Sequence, residues 1–275
     1  RLMQHRKLAF IGAGNMTRSI VAGLVASGYP KEAIIASNRS RPKLDALQEE
    51  LGIKVTQSND EACQFADAIV LSVKPQMMAD VCAAMQQNTD FTGKLFVSIA
   101  AGLPVARLQE MLGGEYPVVR VMPNTPSLLG KGMSGLYADE TVEHSDRDYV
   151  ADVMGAVGKT LWVEKEDDIN GVIAAAGSSP AYFFLFLQAM QEECMAQGFS
   201  QADARVLVQQ AMLGAAEMVC ENPQLELSEL RAQVTSKGGT TAAACNSLID
   251  SDLQGIVAKA MQAAVARAEE MATLF

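Results

Sequence analysis

The chain has 275 residues, 49% of them hydrophobic, and its 22 Lys and Arg against 32 Asp and Glu give a net charge of −10. An acidic chain without a basic stripe is a poor nucleic-acid binder, because phosphate neutralisation supplies most of that affinity. The most apolar run, Ala181–Leu187, is far shorter than the roughly 20 residues of a membrane-spanning helix. We therefore expect neither nucleic acid nor a membrane among the partners.

The N-terminal sequence has no hydrophobic segment of a secretory signal, and the five cysteines are scattered without a CxxC pair. Both features favour a reduced, cytoplasmic protein. The two histidines, His5 and His144, lie next to no carboxylate–cysteine cluster. This pattern predicts no metal site and no histidine-driven catalytic triad.

The first part of the chain alternates short apolar runs with helix-patterned segments. Continuous apolar runs, unlike alternating ones, are typical of strands that are covered on both faces. Repeated strand–helix alternation predicts a Rossmann-like, doubly wound and mostly parallel α/β sheet. The predicted strands are residues 8–11, 33–37, 53–55, 68–73, 95–99, 118–121 and 159–163, and the first predicted helices are 15–26 and 43–51.

After Trp162 the pattern changes to segments rich in Ala, Leu, Met and Gln with helical spacing. Residues 1–161 carry a net charge of −1 and seven of the nine prolines, whereas residues 162–275 carry −9. We therefore predict an α/β nucleotide-binding domain over 1–161 and an all-helical domain over 162–275. The predicted helices are 178–198, 200–221, 225–234, 241–248 and 252–274, with Ser178 and Asp252 as N-caps and Gly198 as a C-terminal stop.

A glycine-rich turn, Gly12-Ala13-Gly14-Asn15-Met16, joins the first predicted strand to the first helix. The first glycine permits a tight turn, and the second lets the backbone approach a pyrophosphate at the helix N-terminus. A GxG turn also occurs in ordinary strand–helix connections, and Thr17 fills the third small position of the pattern. The place of this turn at the first strand–helix junction favours a dinucleotide site.

The end of the second predicted strand, Ser37-Asn38-Arg39-Ser40-Arg41, bears on the choice of dinucleotide. NAD sites usually place Asp or Glu here to hold the ribose 2′-hydroxyl. Hydroxyl, amide and guanidinium groups suit a 2′-phosphate instead, although a solvated basic turn has the same composition. We expect NADP(H) as the preferred cofactor and keep NAD(H) as the alternative.

Five further segments follow the glycine-rich turn along the chain. They are VKPQ at 73–76, SIAAG at 98–102, RVMPNTP at 120–126, GSSPAY at 177–182 and VTSKGGTT at 234–241. Together and in this order, they make the whole chain closely resemble the pyrroline-5-carboxylate reductase family. Members of that family reduce Δ1-pyrroline-5-carboxylate to L-proline in the last step of proline synthesis, and the substrate follows from this resemblance alone.

The resemblance implies a cofactor site, a substrate site and a catalytic role for Thr241, whose hydroxyl would hydrogen-bond the ring nitrogen or relay a proton. Lys237 stands where the family usually has Pro, and Thr17 stands where it usually has Ala or Gly. The implied cofactor contacts are Gly12, Ala13, Gly14, Asn15, Met16, Ser37, Asn38, Arg39, Asn59, Val73, Lys74, Pro75, Ala100 and Ala101. The implied substrate contacts are Asn124, Ser178, Gly238, Gly239, Thr240 and Thr241.

The segment Gly238–Thr241 suits the carboxylate of such a substrate. Consecutive N–H groups at a helix N-terminus form an anion site, and glycines allow close approach. A protonated imine is already electrophilic, so the protein must mainly position C5, exclude water and hold the carboxylate. Without a ligand, the same residues would be a glycine-rich helix connection.

Two other functions stay open on the sequence. One is a different NADP-dependent two-domain reductase or hydroxyacid dehydrogenase, although Lys165, Lys237 and Lys259 lie in no obvious catalytic motif. The other is a non-catalytic NADPH-binding regulator, which would need no substrate segment such as GGTT. The resemblance also implies self-association through the helical domain, as a dimer or a decamer, and Tyr182–Leu187 is then core or subunit interface.

Overall fold

A computed structural model describes residues 3–275. The chain forms two compact units, one that runs to Ser179 and also contains Ala263–Phe275, and one that consists of Pro180–Gln262. The first unit is built on a sheet with helices, and the second is entirely helical, so the predicted fold class is confirmed. The compact units change at Ser179, whereas the composition changes at Trp162. The limits of the functional domains stay a prediction.

One eight-stranded sheet forms the frame of the first unit. Its strands are β1 Leu8–Ile11, β2 Ile34–Ser37, β3 Lys54–Thr56, β4 Ala68–Leu71, β5 Leu95–Ser98, β6 Val118–Met122, β7 Gly132–Tyr137 and β8 Gly158–Trp162. Their order in the sheet is β3-β2-β1-β4-β5-β6-β7-β8, and all neighbours pair in parallel except β6 with β7. The first six strands therefore have the order of a dinucleotide-binding Rossmann sheet.

Apolar clusters lie on both faces of this sheet. Leu8 and Phe10 of β1 belong to one cluster, and Ala9 and Ile11 belong to the other, because successive strand residues point to opposite faces. This double burial explains why β1 reads as a continuous apolar run. The helices of the first unit are α1 Asn15–Ala26, α2 Arg41–Leu51, α3 Asn59–Phe65, α4 Pro75–Asn88, α5 Val105–Leu112, α6 His144–Gly155 and α7 Asp168–Val172.

The strands and helices predicted for this unit are confirmed, with ends that shift by at most two residues. The sequence missed β7, because the glycines and Ser134 of GMSGLY interrupt its apolar pattern. These small residues have a packing reason. A Cβ on Gly135 would lie 2.6 Å from Val172 of α7, and a Cβ on Gly132 would lie 3.0 Å from the Cα of Ser127.

The second unit consists of helices whose predicted spans are also confirmed to within two residues. Gly198, with φ of 109°, follows the first of them, and the Oδ1 atom of Asp252 accepts a hydrogen bond from the N–H of Gly255 at 3.2 Å. Both the predicted stop and this predicted N-cap are therefore present. The helices are α8 Ser179–Ala196, α9 Gln201–Glu221, α10 Leu227–Gln233, α11 Thr240–Asp250 and α12 Leu253–Leu274, the last of which ends in the first unit.

The predicted N-cap at Ser178 is wrong. A π-helical turn, Ile173–Gly177, joins α7 to α8, so that residues 168–196 form one helical run. Ser178 has helical φ and ψ of −95° and −21°, and its N–H donates to the carbonyl oxygen of Ile173 at 2.8 Å. It therefore lies between two helical segments of one continuous run, where GSSP had suggested a helix start.

This helical run is longer than the apolar segment on which the expectation of no membrane-spanning helix was based. By length and composition alone, residues 168–196 could cross a membrane, and little of the run is buried within the chain. Phe183 and Phe184 are 61% and 63% exposed. A helix with such a surface needs an apolar partner of some kind.

Candidate active site

A cleft of about 230 Å³ lies at the carboxyl ends of β1, β2 and β4. In doubly wound sheets, ligands bind at this edge, where the order of the strands reverses. Eight of the predicted cofactor residues line the cleft, namely Gly12, Ala13, Gly14, Asn38, Arg39, Asn59, Val73 and Lys74. Four further lining residues were missed by the sequence analysis, namely Lys43, Ser72, Met77 and Val81.

The glycine-rich turn has the geometry of a phosphate cradle. Gly12 has φ of +108°, and a Cβ on it would lie 2.8 Å from the carbonyl oxygen of Ser72. Gly14 precedes α1, no described side chain caps the first N–H groups of that helix, and nothing lies within 4 Å of the position of a Gly14 Cβ. The turn thus leaves open space in front of an uncapped helix N-terminus, which fits a dinucleotide pyrophosphate.

Thr17 departs from the family pattern without disturbing this turn. Its side chain is fully buried, and its hydroxyl donates to the carbonyl oxygen of Gly12 at 2.7 Å. The same hydroxyl lies 2.8 Å from the hydroxyl oxygen of Ser72. Thr17 therefore ties the glycine turn to the segment that follows β4, and its buried hydroxyl has two polar partners.

The predicted contact Ser37 is buried and does not line the cleft. Its hydroxyl donates to the Oδ1 atom of Asn59 at 2.7 Å, and Asn59 begins α3 and does line the cleft. In the structure, Ser37 thus orients a cleft residue. The amide oxygen of Asn38 accepts a long hydrogen bond, 3.4 Å, from the N–H of Ala13 in the glycine turn.

Two cationic side chains, Arg39 and Lys43, line the part of the cleft beside β2. Arg41, the other arginine of the predicted basic turn, binds Asp45 through Nη2 at 2.7 Å and Nε at 3.1 Å and does not line the cleft. The signal that could have found Lys43 is its place in the first turn of the helix that follows β2. Such a residue shares the carboxyl edge of the sheet with Arg39.

On the other side of the glycine turn, Val73 and Lys74 line the cleft, and Pro75 occupies the first position of α4. Ala100 and Ala101 do not line it. They follow β5, the strand that pairs with β4 on the side away from β1. The predicted cofactor residues are therefore spread along one edge of the sheet, from β3 to β5.

Asn124 is 7% exposed, and backbone groups use both ends of its amide. Nδ2 donates to the carbonyl oxygen of Ala176 at 3.1 Å, and Oδ1 accepts from the N–H of Met133 at 2.8 Å. The first of these bonds joins the PNTP loop, residues 123–126, to the π-helical turn before Ser178, and the second joins it to β7. The described geometry of Asn124 is thus that of a structural residue, and its substrate contact remains a prediction.

The segment Gly238–Thr241 lies in the second unit, at the start of α11. Gly238 has φ of +75°, and Gly239 is the extended N-cap residue. No described side chain caps this helix, and its first turn contains no acidic residue. Its first N–H groups are therefore available for an anion.

Two family models match the chain. The one described as NADP oxidoreductase, coenzyme F420-dependent, covers residues 7–102, and the one described as pyrroline-5-carboxylate reductase dimerisation covers residues 166–271. A pyrroline-5-carboxylate reductase of Vibrio alginolyticus is 59% identical over 273 residues, which are 99% of this chain and 100% of the relative. The chain belongs to the pyrroline-5-carboxylate reductase family.

Solved structures of pyrroline-5-carboxylate reductases align along nearly the whole chain. That of the Coxiella burnetii enzyme is 40% identical, with a TM-score of 0.88, over 98% of this chain and 99% of the other. That of the Plasmodium falciparum enzyme, which has NADP bound, is 29% identical, with a TM-score of 0.89, over 98% and 100%. Within this reductase, the first family match spans every predicted cofactor residue, and the second spans Ser178 and the Gly238–Thr241 segment.

Proposed function

We propose that this chain does what its family name says: it reduces Δ1-pyrroline-5-carboxylate to L-proline. The observation that carries the proposal is the cleft at Gly12–Gly14, with its uncapped helix N-terminus, in a chain that matches these reductases over its full length. A bound nicotinamide dinucleotide supplies a hydride, which the reaction adds at C5, and a proton is added at the ring nitrogen. The residues of the chain hold the cofactor, fix the substrate carboxylate and exclude water.

NADPH is the preferred cofactor in this proposal. Arg39 and Lys43 stand together at the cleft, and the described lining residues include no carboxylate. Two cations favour a 2′-phosphate, whereas a free ribose 2′-hydroxyl is usually held by Asp or Glu. Arg41 takes no part, because Asp45 already binds its guanidinium.

The carboxylate of the substrate binds at the N-terminus of α11 in this proposal. Gly238 and Gly239 permit close approach, and the uncapped N–H groups of the first turn supply the hydrogen bonds. The hydroxyl of Thr241 hydrogen-bonds the ring nitrogen or passes it a proton. Lys237, which precedes this segment, adds positive charge to a unit that is otherwise acidic.

The exposed apolar side chains of the second unit support self-association. Phe183, Phe184 and Leu185 of α8 are 61%, 63% and 68% exposed, and burial of each such side chain contributes about 1.5 to 3 kcal/mol. Pairing with a second copy would bury this surface and would account for the apolar character of residues 168–196. The proposed minimum is a dimer, and a solution mass of two or ten times the 29.3 kDa chain mass separates a dimer from a decamer.

The proposed location is the cytoplasm. All five cysteines are free, as in proteins of reducing compartments. Cys63 and Cys82 are buried, and desolvation raises the pKa of each thiol to about 12, so neither is a reactive thiolate. Cell fractionation tests this assignment, since recovery with the membranes would contradict it.

The oxidation of NADPH by the purified chain tests the function. Pyrroline-5-carboxylate is compared with a panel of 2- and 3-hydroxy or keto acids, and the product is analysed for proline. We expect oxidation with pyrroline-5-carboxylate alone. Oxidation with a member of the panel instead would identify a different reductase, and binding of NADPH without turnover would identify a regulator.

A further inference from the structure

The loop between β5 and α5, residues 99–104, lies at the carboxyl edge of the sheet. Along that edge, the strand order places β2 and its cations on one side of the glycine turn, and β4 and β5 on the other. A dinucleotide with its adenosine end at Arg39 and Lys43 therefore extends its nicotinamide end toward β5. The conformation of this loop matters for that end of the cofactor.

A distant carboxylate fixes the start of α5. Pro104 precedes the helix and has no side-chain group that could cap it. Instead, the Oε2 atom of Glu166 accepts a hydrogen bond from the N–H of Val105 at 2.8 Å. The same oxygen accepts another from Nη1 of Arg120, on β6, at 3.1 Å. Glu166 thus replaces the missing N-cap and is itself held by an arginine.

The C-terminal end of α12 packs closely against the 99–104 loop. Gly102 has φ of +80°, and a Cβ on it would lie 2.7 Å from the Cβ of Met271 and 3.0 Å from the carbonyl oxygen of Ala268. Ala101 packs against the small cluster that Ala268 forms with Ile169 and Ile173. The loop therefore has a fixed neighbour on this side.

Loss of the ion pair between Glu166 and Arg120 would leave the buried guanidinium of Arg120 without its carboxylate partner. The side chain of Arg120 is 5% exposed, and none of the described residues forms a hydrogen bond with its buried Nε atom. Burial lowers the pKa of this guanidinium, and Glu166 opposes that effect. Removal of Glu166 would leave a buried charge that must find water or another partner. A cavity of about 170 Å³ is lined by Gly102, Pro104 and both members of the pair, so the pair and the loop border the same space.

We propose that Glu166 is a positioning residue, which with Arg120 holds the 99–104 loop in the form that receives the nicotinamide end of the cofactor. The proposal rests on the proposed function, because that function places a nicotinamide at this edge. It predicts a specific asymmetry. Loss of Glu166 weakens binding of the nicotinamide half and leaves binding of the adenosine half intact.

Calorimetric titration with two probes tests this asymmetry. NADPH reaches both halves of the site, whereas 2′,5′-ADP has the adenosine end and no nicotinamide. The variants are Glu166→Ala and Glu166→Gln, where Gln keeps an oxygen that can accept from the N–H of Val105. The matched control is Glu164→Gln, which removes the same charge from an exposed position. Glu164 and Glu166 both lie in the segment between β8 and α7.

We expect Glu166→Ala to weaken NADPH binding about tenfold, as for loss of a hydrogen bond to a charged group, and 2′,5′-ADP binding by less than about twofold. Glu166→Gln should weaken NADPH by about threefold, and Glu164→Gln should change neither probe. Unchanged NADPH binding in Glu166→Ala, or equal weakening of both probes, would overturn the proposal. If circular dichroism shows that Glu166→Ala does not fold, Glu166→Gln is used instead. The proposal is then overturned if this variant binds NADPH as well as the unsubstituted chain does, or if its binding of the two probes is weakened equally.

None of these titrations uses pyrroline-5-carboxylate, so the positioning role and the catalytic function can fail separately. A wild-type chain that binds both probes but reduces no imine would refute the function and leave the asymmetry to be measured. A wild-type chain that binds neither probe would refute the cofactor site and this proposal with it.

Discussion

Replacement of Lys43 by Ala should reduce the preference for NADPH over NADH, because Lys43 lies in the cleft beside Arg39. Two unit charges about 4 Å apart attract by about 1 kcal/mol in water and by about 4 kcal/mol near a protein surface. Lys43 is exposed, so the lower value applies, and it corresponds to about a fivefold rise in the KM for NADPH. Arg39→Ala should raise the same KM by about tenfold or more, since a guanidinium can bind a phosphate through two hydrogen bonds.

Steady-state kinetics with both cofactors measure these effects, and Arg41→Ala is the matched control. The Arg41→Ala variant also removes one positive charge, two residues along the chain from both Arg39 and Lys43. In the unsubstituted chain, however, Asp45 already binds the guanidinium of Arg41 at 2.7 Å. We expect the KM for NADPH to change by less than about twofold in that variant, and the KM for NADH to stay constant in all three. An equal rise for both cofactors in Lys43→Ala, or a larger effect of Arg41→Ala, would refute this account of the 2′-phosphate.

Other predictions concern catalysis, the glycine turn and assembly. Thr241→Ala should lower kcat at least about tenfold with NADPH affinity unchanged, and unchanged steady-state kinetics would remove Thr241 from the mechanism. Thr17→Val, which keeps the volume but removes the hydroxyl that bonds Gly12, should lower the free energy of unfolding in urea by about 1 to 2 kcal/mol; an unchanged midpoint would contradict it. Phe184→Glu should shift the mass by light scattering toward one chain, whereas Glu192→Gln on the same helix, at an exposed position, should leave it unchanged.

Sequence patterns predicted most of the first unit because its strands are buried on both faces and its turns depend on particular residues. The run Leu8–Ile11 is followed by Gly12, whose positive φ is required by the tight turn after the strand. Helix α1 begins at Asn15, directly after the second glycine of that turn. β7 has no such signal. Gly135 is needed because a side chain there would collide with Val172, which lies far along the chain. Local patterns do not show contacts of that kind.

The candidate site divides in the same way. The glycine turn and Arg39 follow from motif and position, and the structure adds Lys43 to them. The partners of Asn124 and Ser178 could not be predicted, because they depend on how the PNTP loop packs on a π-helical turn. The substrate itself came from family resemblance, since no spacing in the chain specifies a cyclic imine.

Transfer of an isotope tests whether this chain moves a hydride from the nicotinamide to C5 of the substrate. The chain is incubated with NADPH that carries deuterium at C4 of the nicotinamide, on one face at a time, together with pyrroline-5-carboxylate. The proline that forms is then analysed by mass spectrometry and NMR. We expect one of the two labelled cofactors to yield proline with a single deuterium at C5. Unlabelled proline from both, or no proline at all, would contradict it.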